Sequence, residues 1–268
     1  MKAVILARGL GTRMRKADSG AAVDVQQGAM ADQGIKAMIP IGRPFLDFVL
    51  SALADAGITD VCLVIGPEHS AIREHYERDG LLERLRVDFA IQERPVGTAN
   101  AVLAAERFVG GDRFLVMNAD NYYPVEAYAA LKGVGEPGLV AFGRDALLAD
   151  GRIDADRIMR FALLDIDGDG YLRRIVEKPD AAAARAMGDA AYISMNLWAF
   201  EPSIFAPCRT VSPSPRGELE IPVAVQHAID AYGLRFRAVP THAPVLDLSS
   251  RADIAAVAEA LAGVDVTL

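Results

Sequence analysis

The sequence predicts an α/β fold, and three observations predict it. Short, mainly apolar runs recur at 4–7, 61–65, 87–91 and 114–117, and each reads as a strand, the β-branched first one as a buried strand. Helical stretches lie between them, the clearest at 44–56, where Phe45, Val49, Leu53 and Ala56 keep helical spacing. The first apolar run ends at Gly9 and Gly11, with Arg13 just beyond. Strand, glycine-rich loop and cation in that order build a phosphate site on an open α/β sheet.

Gly9 and Gly11 allow a tight turn and let backbone N–H groups approach a ligand closely. Arg13 adds a fixed cation whose fork suits phosphate. Two better-defined loops do not fit. A dinucleotide fingerprint needs a third glycine where Met14 stands, and a P-loop needs Gly-Lys-Ser/Thr, which does not follow. By itself the loop is equally well read as an ordinary strand-to-helix turn. Residues 16–34 hold few large apolar side chains. Ala21, Ala22, Val25, Ala29 and Met30 make a weak helical stripe, and the segment reads as a mobile surface excursion, a lid or a plain long loop, with at most one helix. Pro44 opens the helix at 44–56 and Gly57 closes it. Residues 68–78 read as a charged outer helix with His69 and His75 in solvent. Thr98 reads as the N-cap of a helix over 99–107.

In the second half, 139–143 reads as a strand, and 161–166 with 171–176 as a β-hairpin around Asp167-Gly168-Asp169-Gly170. Asp165, Asp167, Asp169 and Gly170 copy the start of a calcium loop. The closing Glu would stand at Val176 and no helices flank the run, so the hairpin is preferred. Residues 192–200 read as one strand with Trp198 in the core. Glu218 and Glu220 read as charges in the first turn of the next helix. Ser250 and Asp253 read as a capping box for the last one.

Composition narrows the class. The chain has 268 residues, enough for a full core, with 52% hydrophobic and 24% charged residues. No apolar run reaches the roughly 18 residues that span a bilayer, and the opening segment lacks a signal peptide's regions. Cys62 and Cys208 match no metal or redox spacing and read as two buried thiols. These features suit a cytoplasmic protein. A net charge of −8 argues against nonspecific binding to nucleic acid or to an anionic membrane. A phosphate site here must therefore be a local cluster of cations.

Ordered motifs add a resemblance. Leu6-Ala7-Arg8-Gly9-Leu10-Gly11-Thr12-Arg13 resembles the opening signature of the sugar-1-phosphate nucleotidylyltransferases, Leu-Ala-Ala/Gly-Gly-x-Gly-Thr-Arg, with Arg8 in place of a small residue. Lys36 to Pro44 resembles the second signature of that family, with Ile35 replacing its first proline, and 16–34 looks like an insertion between the two. Gln92 to Ala101 resembles the base-recognition segment Gln-x-x-x-x-Gly-Thr-Ala-x-Ala. Asn118-Ala119-Asp120 resembles the strand-ending metal motif, and Glu177-Lys178-Pro179 a sugar-phosphate segment. Arg216-Gly217-Glu218-Leu219-Glu220-Ile221 resembles a run of the glucose-1-phosphate thymidylyltransferases. Residues 243–250 resemble Trp-x-Asp-x-Gly-Thr without its Trp and Gly, keeping Asp247 in register.

The resemblance implies a single Rossmann-like three-layer domain over 1–268 with a mostly parallel mixed central sheet. Residues 1–135 would hold the nucleotide and 136–268 the sugar phosphate. It implies Arg13 and Lys36 as catalytic cations, and Leu6, Ala7, Gly9, Gly11, Thr12, Gln92, Gly97 and Thr98 as nucleotide-binding. Glu177, Lys178, Asn196, Arg216 and Glu218 would bind the sugar phosphate, and Asp120 and Asp247 would hold Mg²⁺. The implied reaction joins an NTP and a sugar 1-phosphate into an NDP-sugar and pyrophosphate. A Gln amide offers a donor and an acceptor to an imide edge, which favours UTP or dTTP. The alternative is a non-catalytic nucleotide-sugar-binding regulatory homologue. A dinucleotide-dependent oxidoreductase is disfavoured by Met14. The sequence names neither the sugar nor the oligomeric state, a homo-oligomer included.

Overall fold

The computed structural model describes residues 1–18, 20–78, 80–149, 153, 155–158, 160–188 and 191–268. Its strands are β1 (Lys2–Leu6), β2 (Asp60–Ile65), β3 (Arg86–Ile91), β4 (Phe114–Asn118), β5 (Asn121–Tyr122), β6 (Gly138–Phe142), β7 (Ala162–Ile166), β8 (Leu172–Val176), β9 (Tyr192–Ser194), β10 (Trp198–Phe200), β11 (Arg237–Thr241) and β12 (Leu246–Asp247). One large mixed sheet runs β3-β2-β1-β4-β10-β6-β9-β7-β8, with β11 paired to β6. The first four strands pair in parallel. β10 joins β4 antiparallel, so both halves of the chain share one sheet.

Helices cover both faces because the inner strands β1, β2, β4 and β6 are apolar on both. In β1, Ala3 and Ile5 enter one core and Val4 and Leu6 the other. The first core takes the helix Phe45–Asp55, with Phe45, Leu46, Val49 and Leu53 all fully buried. Pro44 is its N-cap, and Gly57 follows it at φ 70°, as the punctuation of the sequence suggests. The second core takes Val102, Ala224, Val225 and Trp198. Cys62 and Cys208 are both buried and unpaired.

Several local expectations are corrected. Segment 16–34 is ordered at its C-terminal end, although most of its described residues are exposed. It carries a helix, Val25–Gln33, opened by a true capping box between Asp24 and Gln27 and closed by Gly34 at φ 73°. Arg15 Nη2 donates to Gln33 O at 2.7 Å, and Ala31, fully buried, joins Met14 in the first core with Val23 and Met30 packed against it. Ser19 lies outside the described residues. His69 is buried, not solvated, its Nδ1 accepting from Gly66 N at 3.3 Å, and His75 is half-buried 3.4 Å from Asp47.

The strand expected over 192–200 is broken into β9 and β10 by Asn196, which adopts φ 61°. The 161–176 hairpin is present. Its turn is closed by Asp167 Oδ1, which accepts from Asp169 N at 3.0 Å and Tyr171 N at 2.8 Å, while Asp165 pairs with Arg173. Of the capping box expected at Ser250 and Asp253 only one half forms, because Ser250 Oγ donates to Asp253 Oδ2 at 2.9 Å instead of accepting from its backbone N–H, and Ala252 is the N-cap of the last helix, Asp253–Leu261. Asp253 Oδ2 is the acceptor, taking Ser250 N at 2.6 Å and Ser249 N at 3.0 Å.

Candidate active site

Parallel pairing aligns the carboxyl ends of β1 to β4, and the site grows from them. Leu6 pairs with Asn118, and Ala119 N donates to Leu6 O at 3.2 Å, so the glycine loop after β1 and Asp120 after β4 start side by side. Gly11 sits at φ 61°, where a Cβ would fall 2.5 Å from Gly34 Cα. Only glycine lets the loop close on the end of the Val25–Gln33 helix. That contact brings Gly34, Ile35 and Lys36 to the site, so the Val25–Gln33 helix helps to position the lysine.

A cavity of about 440 Å³ opens here. Leu6, Ala7, Gly9, Gly11, Thr12 and Arg13 line one side, and Lys36, Gln92, Gly97, Thr98 and Asp120 continue it. Glu177, Lys178, Asn196, Arg216 and Glu218 line the second-half wall. Every residue the motifs single out lies on this surface except Asp247.

Lys36 Nζ donates to Asp120 Oδ2 at 2.7 Å, joining cation and carboxylate at the cavity floor. Arg13 is exposed at the rim and pairs with no carboxylate among the described residues. Asp247 sits behind Asp120, 8% exposed. Its Oδ2 accepts from Arg157 Nη2 at 2.5 Å, Asn121 Nδ2 lies 3.3 Å from Oδ1, and Ser249 Oγ reaches both oxygens at 2.9 and 3.0 Å. Burial and then the nearby Asp120 carboxylate push its pKa above the usual range, against the pull of Arg157 and Lys36.

This donor set partly fits Mg²⁺. A hard carboxylate at a cavity that can admit phosphates suits an ion that takes one or two carboxylates and keeps its waters. Asp120 meets that description. Asp247 could do so only after releasing Arg157. No cluster of three or more His, Cys, Asp or Glu side chains of metal-binding form occurs among the described residues.

On the base side, Gln92 is 4% exposed. Its Nε2 donates to Gly97 O and to Asn100 Oδ1, both at 3.0 Å. Gly97 has φ 123°, and a Cβ there would lie 2.5 Å from Leu219 N. Leu219 N donates to Val96 O at 2.8 Å and Ala99 N to Leu219 O at 2.7 Å, so this glycine lets the two halves of the chain zip together. Thr98 is the first residue of its helix, Thr98–Ala104, and not its cap. Its Oγ1 instead accepts from Ile221 N at 2.8 Å, satisfying the opening turn of the helix Ile221–Tyr232.

Glu218 lies outside that helix and Glu220 is its N-cap residue, so neither occupies the first turn. Glu220 is 7% exposed, although its place in the sequence predicts only a helix charge. It accepts from Arg216 Nη2, and from Lys178 Nζ at 3.4 Å, which makes it the hub of the second-half cations. Lys178 Nζ also lies 3.0 Å from Glu177 Oε1. Burial pushes the Glu177 carboxyl up from its ordinary value, opposed by Lys178. Asn196 in its left-handed turn accepts from Trp198 Nε1 at 3.3 Å, which fixes its amide at the cavity wall. Arg8 also lines the cavity, with its side chain 7% exposed and its Nε and Nη2 each 3.2 Å from Glu68. In the sequence both are marked by their motifs, Arg8 as a departure from the small residue and Glu220 as a second acid after Glu218.

A family model described as nucleotidyl transferase matches residues 2–242. The chain belongs to the nucleotidyl transferase family. A glucose-1-phosphate thymidylyltransferase of Streptomyces antibioticus is 32% identical to this family member over 242 residues, 86% of this chain and 58% of the relative. The chain thus spans under two thirds of that relative's length. A UTP–glucose-1-phosphate uridylyltransferase (AglF) of Haloferax volcanii is 26% identical over 226 residues, 84% of this chain and 82% of the relative. A UDP-glucose pyrophosphorylase structure from Acinetobacter baumanii superposes with TM-score 0.73 at 18% identity, covering 99% of this chain and 95% of that one. At that identity the likeness concerns the fold. Among the described residues no helix is long and apolar enough to cross a membrane.

Proposed function

We propose that this family member transfers a nucleotidyl group from UTP or dTTP to a sugar 1-phosphate, releasing pyrophosphate. One observation carries the reading: a single cavity gathers the glycine loop, the Lys36–Asp120 pair, Gln92 and the Lys178–Arg216 cluster from opposite halves of the chain. The activities of the two similar enzymes, a thymidylyltransferase and a uridylyltransferase acting on glucose 1-phosphate, agree with it.

The sugar phosphate oxygen attacks the α-phosphorus, and the bond from that phosphorus to the bridging oxygen breaks as pyrophosphate leaves. The attacking phosphate is already a nucleophile, so no protein nucleophile or base is required. Catalysis then rests on positioning and on neutralising charge. Backbone N–H groups of the glycine loop with Arg13 and Lys36 would cradle the triphosphate and stabilise the departing pyrophosphate. Gln92, Gly97 and Thr98 would hold the nucleoside beside Leu6 and Ala7. Lys178 and Arg216 would bind the sugar phosphate, and Glu177, Asn196 and Glu218 its hydroxyls. Asp120 would hold Mg²⁺, with Asp247 as second carboxylate if Arg157 yields, and the ion would screen phosphate charge.

A cytoplasmic setting belongs to the same proposal and is supported by two unpaired thiols. Pyrophosphate release, measured across NTPs and sugar 1-phosphates, tests the reading. Turnover with UTP or dTTP is expected. Binding of a nucleotide sugar without any turnover would turn the reading toward the non-catalytic homologue.

A further inference from the structure

Gln92 lies at the carboxyl end of β3, where its backbone N–H meets Ile65 O at 2.9 Å. Its side-chain nitrogen carries two hydrogens. One goes to Gly97 O and the other to Asn100 Oδ1, each at 3.0 Å. A backbone carbonyl can only accept, so the Gln92 nitrogen must be the end that faces Gly97. With that end decided, Asn100 must present its oxygen. Both Gln92 donors are spent inside the protein, and Oε1 is the group left for the cavity that Gln92 lines. Asn100 is half-buried, is the third residue of the Thr98–Ala104 helix and is not part of the cavity lining. Whatever it does for a ligand it does through Gln92.

We propose that Asn100 is a positioning residue for base selection: with Gly97 it locks the Gln92 amide acceptor-outward. The site then admits a base whose edge offers a ring N–H and rejects one whose edge offers a lone pair. Uracil and thymine pass through N3–H, and guanine passes through N1–H. Cytosine N3 and adenine N1 would meet Oε1 lone pair to lone pair and leave both unpaired in a buried place. Turning their exocyclic amine onto Oε1 instead displaces the ring, and with it the α-phosphate, from the in-line position. The proposal rests on Gln92 lying at the base, as in the proposed function, but it sorts bases differently, because guanine passes the lock and fails a pyrimidine preference.

The test compares wild type, Asn100→Ala and Asn100→Asp with UTP, dTTP, GTP, CTP and ATP. Both kcat/KM and calorimetric nucleotide affinity are measured, so a catalytically silent protein still reports on the lock. Asn100→Ala leaves the Gln92 amide held by Gly97 O alone and able to turn its nitrogen toward the cavity, and the preference for UTP over CTP should fall about tenfold. Asn100→Asp keeps an acceptor, and its charge suits the start of a helix, so the preference should hold within about threefold. Asn100→Leu, a near-isostere without an acceptor, repeats the test where truncation unsettles the helix. Three results would overturn the lock: an unchanged ratio in Asn100→Ala and Asn100→Leu, relaxation in Asn100→Asp as well, or a wild type that takes CTP or ATP as readily as UTP. A wild type that prefers GTP, yet relaxes toward CTP and ATP in Asn100→Ala, supports the lock and ends the pyrimidine reading. A UTP preference that Asn100→Ala leaves intact ends the lock alone.

Discussion

Lys36 reaches the cavity floor on a short 3-10 turn and ends 2.7 Å from Asp120. If its charge stabilises the reacting phosphates, Lys36→Ala should lower kcat by about 10²-fold or more with the melting temperature nearly kept. Near-normal turnover by the folded variant would remove Lys36 from the mechanism. Glu177 makes the opposite trade. Burial raises its pKa, so in the folded protein the ionised form is the costly one. Between the ordinary carboxyl value and the raised one the folded state binds more protons than the unfolded, and stability falls as pH rises through that window. Glu177→Gln should therefore raise the melting temperature at pH 8 while raising KM for the sugar phosphate. A lower melting temperature would show that the bond to Lys178 outweighs burial. Cys62 and Cys208 are both pushed up to about 12 by burial. Neither should be alkylated by iodoacetamide at pH 8 until the chain is unfolded, and rapid labelling of the native protein would contradict their placement.

At the scale of elements, the loops after parallel strands are held by glycine contacts made at a distance. Gly97 lies against the Leu219 backbone at φ 123°. Gly97→Ala must both strain the backbone and part Val96–Ala99 from Leu219, and it should cost roughly 3 kcal/mol. In a chain of this size that is a fall of about 6–12 °C in melting temperature. A neutral Gly97→Ala would mean that the two segments separate freely. The Val25–Gln33 helix illustrates the converse. Its sequence is weakly amphipathic, with Val25 89% exposed, yet a capping box and the Gly11–Gly34 contact give it a defined place.

At the scale of the whole molecule, the sheet brings the carboxyl end of β4 to the short β12–β5 pair, so Asp120 and Asp247 become neighbours across 127 positions of sequence. If both serve one Mg²⁺, Asp120→Asn and Asp247→Asn should each lower activity and raise the Mg²⁺ requirement, with a double variant less impaired than the two effects multiplied. If Asp247 only anchors Arg157, Asp247→Asn should lower stability and leave the Mg²⁺ requirement at its wild-type value. Titrating activity against Mg²⁺ for the three variants separates the two outcomes.

The sequence by itself determined the α/β class, the helix at 44–56, the hairpin at 161–176 and the order of the motifs. Those features rest on local periodicity, on turn residues and on short spacings, which are properties of neighbouring residues. It also named most of the cavity surface, because the family motifs sit at strand ends and strand ends converge in a parallel sheet. Tertiary structure alone decided what those side chains bond to. It turned Thr98 Oγ1 away from its own helix to accept the first backbone N–H of another. It spent the Gln92 donors on Gly97 and Asn100, gave Asp247 to Arg157, and made Glu220 the shared acceptor of Lys178 and Arg216. Each of these is a hydrogen bond or ion pair whose partner is chosen by packing. A buried polar group takes whichever partner the fold brings within about 3 Å, and the local sequence of a single residue carries no record of that choice.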